Sequence, residues 1–474
     1  MKILKKIAIL VVFLFCIELM LGFTGTMVMV GGIAIRHILF ILTFISLYIY
    51  FVMYLWSNRI KIFSLDKDSY FGSYTWIDIF AVLFEISMIL SMTVIPWIKG
   101  TSLQYAHSEA FDSAAIFSLF FPISFLIKRG ELNVNKLFNF LKYVVFILAL
   151  GHIFFYFAQD SNPEFIFNFF NGVKNILGGN SIAPSINLGH GGYTRIIFTT
   201  SIYLIVGLYI FLNNLDDNKW YDYIIFAADT LAIITTVTKS IWFGIIGGFG
   251  VFFVFAIFLN IKNNKKYIGK LLGVTVFTVL VIFIADQTIF DRIVSIRMGN
   301  AFTVESTTSK KEEKAQKKKY KTEKEQYMAK LDKAGAAKSN LIKLEQMQKL
   351  VEKWKESPVL GWGYGSYVEG YLRSEVSPFS YEMQLFALLM KIGILGLMIW
   401  GIFFISQFAL MIKYRRRCYN NILTWLFLAD SVAICVQTNP LLICFAGMSI
   451  VLLISLISVQ EIHNGKEEAN GKCE

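Results

Sequence analysis

Charge is scarce in this chain. Only 16% of its 474 residues are Asp, Glu, Lys or Arg, where a soluble domain carries about 25%. That shortage excludes a soluble enzyme and a disordered chain. With only 7 prolines, a collagenous chain is excluded too. Cysteine is equally sparse. Of the five, Cys16, Cys435 and Cys444 fall in apolar runs and Cys418 and Cys473 in polar stretches. No C-x-x-C or similar spacing suggests a structural metal. A phosphate-cradling P-loop is missing, and no internal repeat is evident, so an inverted-repeat transporter gets no direct support.

What is present is hydrophobic. Apolar residues make up 56%, including 45 Phe, and the mean hydropathy is +0.57. A membrane-spanning helix needs about 20 mostly apolar residues, because lipid cannot satisfy exposed backbone groups. Twelve such runs can be read: 7–30, 35–56, 76–97, 111–127, 138–158, 194–212, 223–238, 240–259, 271–287, 383–405, 421–438 and 441–458. The first is too long for a signal peptide and lacks a convincing cleavage site. The expected fold is therefore an all-α polytopic bundle of about twelve transmembrane helices.

The net charge of +12 would suggest nucleic acid in a soluble protein. Its distribution argues against that. Lys and Arg concentrate in alternate short connections, including Arg59, Lys61, Lys128, Arg129, Lys266, Lys270 and Arg415–Arg417. By the positive-inside rule those connections and both termini are cytoplasmic. Residues 1–287 then hold the first nine helices, with a Gly- and Asn-rich outer loop at 159–193. Residues 288–382 form a large helical extracytoplasmic loop between helices 9 and 10. Residues 383–458 hold the last three helices, and 459–474 a cytoplasmic tail.

The large loop has two parts. Residues 310–330 are a Lys/Glu block, read as a solvated helix or a basic surface for acidic headgroups. From Asn340 on, Leu341, Leu344, Met347, Val351 and Trp354 recur at helical spacing, which predicts an amphipathic helix on the membrane surface or on the helix bundle, ended by Pro358. Gly361, Gly363 and Gly365 follow, and let the backbone turn tightly against another group.

With no cytoplasmic domain, any chemistry happens outside, where nucleotide donors are scarce. A donor must arrive already activated in the bilayer, such as a polyprenyl-diphosphate-linked glycan. Such transfer needs cations for the leaving diphosphate and a base for the acceptor hydroxyl. The acidic pairs Asp66/Asp68 and Asp216/Asp217 sit in short loops and read as turns. Outer-face candidates are Arg195 after Gly189-His190-Gly-Gly192, Lys239 in a tight turn, Arg292 and Arg297 after helix 9, and Glu382 where the loop re-enters. Arg195 and Lys239 also suit interfacial anchoring, and Glu382 a helix-start carboxylate. Lys391 lies mid-span, where a cation needs a cavity or an acid. Glu18, Asp78, Glu85, Asp229 and Asp430 are its candidate partners.

This layout resembles the bacterial O-antigen ligase and polysaccharide polymerase (Wzy-type) superfamily. The resemblance rests on Arg195 after a Gly-rich loop, and on Thr238-Lys239-Ser240 where the family has Ser-Arg-Gly. It rests further on the segment from Lys343 through Pro358, Gly361 and Gly363, and on Glu382 through Gly393 and Gly396. It implies a metal-independent, cofactor-free glycosyltransferase of the cytoplasmic membrane, acting in capsule, exopolysaccharide or O-antigen biosynthesis. Arg195, Lys239 and Lys343 would hold the diphosphate and Glu382 would replace the usual His as base, with Arg195 also catalytic. Arg292, Arg297, His190, Gly361 and Gly363 would line the donor site. The implied partners are a polyprenyl-diphosphate-linked oligosaccharide, the bilayer, and a flippase and chain-length regulator of the same pathway, with no nucleic acid. The alternatives are a ligase to a lipid or surface acceptor, and a lipid-linked oligosaccharide flippase.

Overall fold

The computed structural model describes residues 1–22, 29–30, 33–161, 185–188, 194–260, 265–302, 323–372, 374–414, 419–438 and 440–469, with isolated residues between 164 and 172. The architecture is all-α. Among the described residues nine helices are long and apolar enough to cross a membrane. Each apolar run of the sequence has a helix, but three of these helices (Lys2–Leu21, Tyr203–Asn213 and Trp220–Thr235) are not among the nine.

The helices are α1 (Lys2–Leu21), α2 (Ile35–Ser57), α3 (Trp76–Met92), α4 (Val94–Lys99), α5 (Leu103–Phe117), α6 (Phe120–Lys128) and α7 (Val134–Ser161). Then come α8 (Tyr203–Asn213), α9 (Trp220–Thr235), α10 (Lys239–Asn260), α11 (Lys265–Thr288) and α12 (Ile293–Gly299). The last are α13 (Glu323–Lys355), α14 (Gln384–Tyr414), α15 (Tyr419–Cys435) and α16 (Phe445–Ala469). Asp66–Asp68 and Asp216–Asp217 lie in bends and turns, as their sequence context requires.

Two runs differ from a simple helix. The first helix ends at Leu21, and β1 (Met29–Val30) pairs with β2 (Ile33–Ala34) before α2. The run at 194–212 opens as a strand: β4 (Thr194–Ile197) pairs antiparallel with β3 (Ser185–Leu188), and Asn187 faces Arg195. Side chains alternate along a strand, so Ile196 and Phe198 enter the core while Arg195 takes the other face.

Two close approaches set the bundle. Glycines on α10 let it lie directly on α15: a Cβ at Gly244 would stand 2.5 Å from the Ser431 carbonyl, and one at Gly248 2.8 Å from that of Phe427. Small residues one turn apart are how membrane helices bring backbones together. The second approach breaks a helix. Inside α14, Gly393 has φ 65 and ψ −174, which interrupts the helix at membrane depth. Freed backbone groups there must find partners. The 357–365 loop supplies them: Trp362 N–H donates to Met390 O (2.9 Å), Gly363 N–H to Lys391 O (2.8 Å), and Ile394 N–H to Pro358 O (3.0 Å). Gly361, Gly363 and Gly365 all have φ between 72 and 82, a region costly for residues with a Cβ. The alternate glycines thus bring this loop against α14 and against Pro96 and Ala106.

Candidate active site

The site grows from the turn between α9 and α10. Val237 holds φ 46 there, and Thr238 Oγ1 donates to Thr236 O at 2.9 Å. Trp242 Nε1 donates back to Ile233 O at 3.1 Å, which ties the two helices across the turn. Arg195 docks on this turn from β4: its Nε donates to Thr236 O and its Nη2 to Thr238 Oγ1, both at 3.3 Å. The strand is anchored from beneath. Buried His152 on α7 shares a hydrogen bond with Ser201 (3.1 Å) and packs its ring 4.6 Å from Phe198.

The next residue, Lys239, donates from Nζ to Asn300 O at 3.3 Å. Asn300 in turn donates to Asp332 on α13 at 3.2 Å, and Arg297 donates to the other Asp332 oxygen at 2.8 Å. Asp332 thereby fixes α13 over the turn. Lys239 lies close enough to Asp332 and Lys343 to feel both charges. Lys343 is half-buried on α13, three and seven residues before the buried Gln346 and Leu350 and so on the same helix face. Burial pushes the Arg297 guanidinium below its ordinary range, and Asp332 opposes that shift.

Glu382 closes the group. Its carboxylate acts on the Arg195 guanidinium. It also acts on Tyr371, whose phenol is pushed up first by burial and then by Glu345 and Glu382. Its position is set by α13, because Gln346 Oε1 accepts the Met383 N–H at 2.8 Å just before α14 begins. Arg195 and Lys239 thus flank the α9–α10 turn, with Glu382 in electrostatic range of Arg195 and Lys343 in range of Lys239. That set can hold a polyanion and accept a proton.

Other candidates are placed differently. Arg297 is engaged by Asp332, which gives it a structural partner. Arg292 starts α12 with φ 60, and its N–H donates to Asp286 O at 2.7 Å. Gly361 and Gly363 are buried, packed on Lys391 and Pro96. His190 lies outside the described residues, as does most of the Lys/Glu block at 310–330.

On α13 the apolar Leu341 and Leu344 are 52% and 45% exposed, and Gln346 and Leu350 are the buried residues. Polar Asp332 and Gln346 can face inward because each has hydrogen-bond partners. The partner of Lys391 is Glu109 on α5 and none of the five acids considered. Lys391 also donates to Phe379 O at 2.8 Å, and Glu109 accepts the Gly365 N–H at 2.7 Å. This pair joins the glycine loop, the segment leading to Glu382 and the broken helix.

Replacing Lys391 by Met leaves the Glu109 charge buried without its cation. The expected cost is roughly 3–5 kcal/mol, read as a lower thermal midpoint of the purified protein. The double variant Lys391→Met/Glu109→Gln should recover part of it; an unchanged midpoint in the single variant would contradict the assignment.

Among the described residues no group of three or more His, Cys, Asp or Glu is placed to hold a metal ion. Residues 224–401 match the family model described as O-antigen ligase. The match contains Lys239, Lys343, Gly361, Gly363 and Glu382 and begins after Arg195. No curated protein and no solved structure matches the chain. The chain is a polytopic membrane protein whose residues 224–401 are similar to the O-antigen ligase family, a combination that supports a glycan-handling membrane enzyme.

Proposed function

We propose that this protein is a polysaccharide repeat-unit polymerase that transfers glycan from a polyprenyl-diphosphate carrier to an acceptor sugar hydroxyl. The observation that carries the reading is the placement of Arg195 and Lys239 at the α9–α10 turn, with Glu382 in range of Arg195 and Lys343 in range of Lys239. In this reading the site faces outward, the bundle crosses the cytoplasmic membrane twelve times, and both termini are cytoplasmic. A flippase and a chain-length regulator of the same pathway would be its partners.

The acceptor oxygen attacks the anomeric carbon. A new C–O bond forms as the bond to the diphosphate oxygen breaks, and the electron pair leaves on the carrier diphosphate. Attack opposite the leaving group inverts the anomeric centre. Arg195, Lys239 and Lys343 neutralise the departing charge, and Glu382 takes the hydroxyl proton. Arg195 offers a two-pronged grip on phosphate oxygens, whereas the two lysines act as point charges.

Glu382→Gln removes the base and keeps the shape. Polymer formation should fall by about 10²–10⁴-fold, with lipid-linked single repeats accumulating in cells whose only copy is the variant. Polymer of unchanged amount and length would remove Glu382 from the mechanism.

A second reading is favoured by the description of the matched family: a ligase that moves finished glycan to a lipid or surface acceptor. A deletion strain that accumulates unattached long polymer, rather than single repeats, supports the ligase. Lipid-linked repeats trapped on the cytoplasmic leaflet would instead indicate a flippase.

A further inference from the structure

A cavity of about 350 Å³ lies where α3 begins and α6 and α16 end, walled also by Lys67 and residues 72–75 of the preceding connection. This is the far end of α3 from the glycine loop, whose Tyr364 N–H donates to Ser91 O and whose Gly363 packs on Pro96. The 17 residues of α3 span about 25 Å. The cavity therefore lies well apart from that loop, at the other end of the bundle.

Its lining is basic. Lys67, Lys128, Arg129, His463 and Lys466 border it, and among the described residues no Asp or Glu does. Lys128 donates to Asp78 at 2.5 Å, but that carboxylate also accepts from the Thr75 N–H, Thr75 Oγ1 and Ser124 Oγ. Asp78 is thus saturated and offsets one cation only. Arg129 donates to the Asp68 carbonyl at 2.6 Å, and His463 lies 3.4 Å from Glu467. Lys67 and Lys466 meet no carboxylate among the described residues. Lys466 lies close enough to Lys128 to feel its charge. It also shares the Tyr414 ring with Lys413, at 5.0 and 5.2 Å. Like charges held this close repel, and an anion in the cavity relieves them.

The surroundings suit a lipid headgroup layer. Trp76, at the start of α3, is exposed, and Phe63 and Leu65 in the preceding connection are almost fully exposed. Trp anchors proteins at the membrane–water boundary. Exposed apolar side chains beside basic ones leave water by entering the acyl boundary. A phospholipid meets both demands, with phosphate for the cations and chains for the apolar groups. A free phosphate meets only the first.

We propose that this cavity binds the phosphate headgroup of an anionic phospholipid, held by Lys67 and Lys466 with Lys128 and Arg129 beside them. Basic pockets between membrane helices recognise headgroups in this way. In the orientation proposed above the lipid belongs to the cytoplasmic leaflet. Binding itself depends neither on that orientation nor on the chemistry at Arg195.

The test is native mass spectrometry of the full-length protein in detergent, titrated with phosphatidylglycerol, with phosphatidylcholine of the same chains, and with inorganic phosphate. The first phosphatidylglycerol should bind about tenfold or more tightly than phosphatidylcholine, and inorganic phosphate should not displace it. Lys67→Gln/Lys466→Gln should weaken that first binding about 30-fold. Neither lysine has a carboxylate partner to lose, so the fold should stand, as the thermal midpoint checks. Lys2→Gln/Lys6→Gln removes the same charge at the same end, where Lys5 pairs with Glu131 beside Arg129, and should leave the binding unchanged. Three results would each overturn the proposal: equal affinity for the two lipids; an equal effect of the two double variants, which marks diffuse attraction; or displacement by millimolar inorganic phosphate, which marks a soluble ligand. If the first double variant does not fold, Lys67→Gln alone, at an exposed loop position, should weaken binding about fivefold.

Discussion

Arg195→Ala is expected to lower polymer output by about 10²–10³-fold, the usual loss when one preorganised donor to a developing negative charge is removed. The guanidinium is held at the bundle end by two donations of 3.3 Å to the α9–α10 turn. Glu382 is close enough to add its charge to the guanidinium's surroundings. It is thus fixed before any donor arrives, and no reorganisation is needed as the diphosphate leaves. The lysines cannot replace it. Lys239 is directed to Asn300, and an ammonium lacks the planar fork. Arg195→Lys should therefore recover only a minor part of the activity. The readout is the ratio of polymer to lipid-linked single repeats in cells, with membrane levels of the protein checked by blotting. Normal polymer from a well-expressed Arg195→Ala variant would exclude this arginine.

The second large effect is structural. Gly363→Ala should destabilise the protein by about 2–5 kcal/mol, combining the left-handed backbone penalty with overpacking. Gly363 has φ 82, and its Cβ would stand 2.5 Å from the Pro96 ring and 2.8 Å from the Pro96 nitrogen. Neither neighbour can yield, because Pro96 is buried in α4 and the Gly363 N–H is bound to Lys391 O. Moving the loop would expose the broken backbone of α14. Gly370→Ala is the matched control: its φ is 73, but nothing lies within 4 Å of an added Cβ. It should lose only about 1–2 kcal/mol from strain alone. Thermal unfolding of both variants in detergent separates the two terms, and equal midpoints would refute the packing argument.

Much of this was legible in the sequence, for physical reasons that differ by element. Long apolar runs reveal helices because the bilayer demands them, and each run contains one. The strand at Thr194–Ile197 was hidden. Thr-Arg-Ile-Ile-Phe is apolar enough to extend a helical run, and short apolar stretches do not disclose their period. The glycines at 361, 363 and 365 announced a close approach, but their partners, Lys391 and Pro96, depend on the tertiary fold. The burial of Asp332 and Gln346 on α13 is not legible in the sequence because both are polar. Only their partners, Arg297, Asn300 and the Met383 N–H, make their burial tolerable. Glu109 was missed for a similar reason, since it sits at the start of a span, far in sequence from Lys391. Of the site residues chosen for charge at the ends of apolar runs, Arg195 and Lys239 flank the α9–α10 turn and Arg297 pairs with Asp332.

The central claim is that these residues transfer glycan from a polyprenyl diphosphate. Its most direct test is the purified protein in liposomes, supplied with a polyprenyl-diphosphate-linked oligosaccharide repeat as both donor and acceptor. The predicted result is a ladder of longer glycans with stoichiometric release of polyprenyl diphosphate, reduced about 10²–10³-fold in Arg195→Ala. Lipid-linked repeats that are neither lengthened nor released from their carrier, with the protein folded and the donor matched to its own pathway, would contradict it.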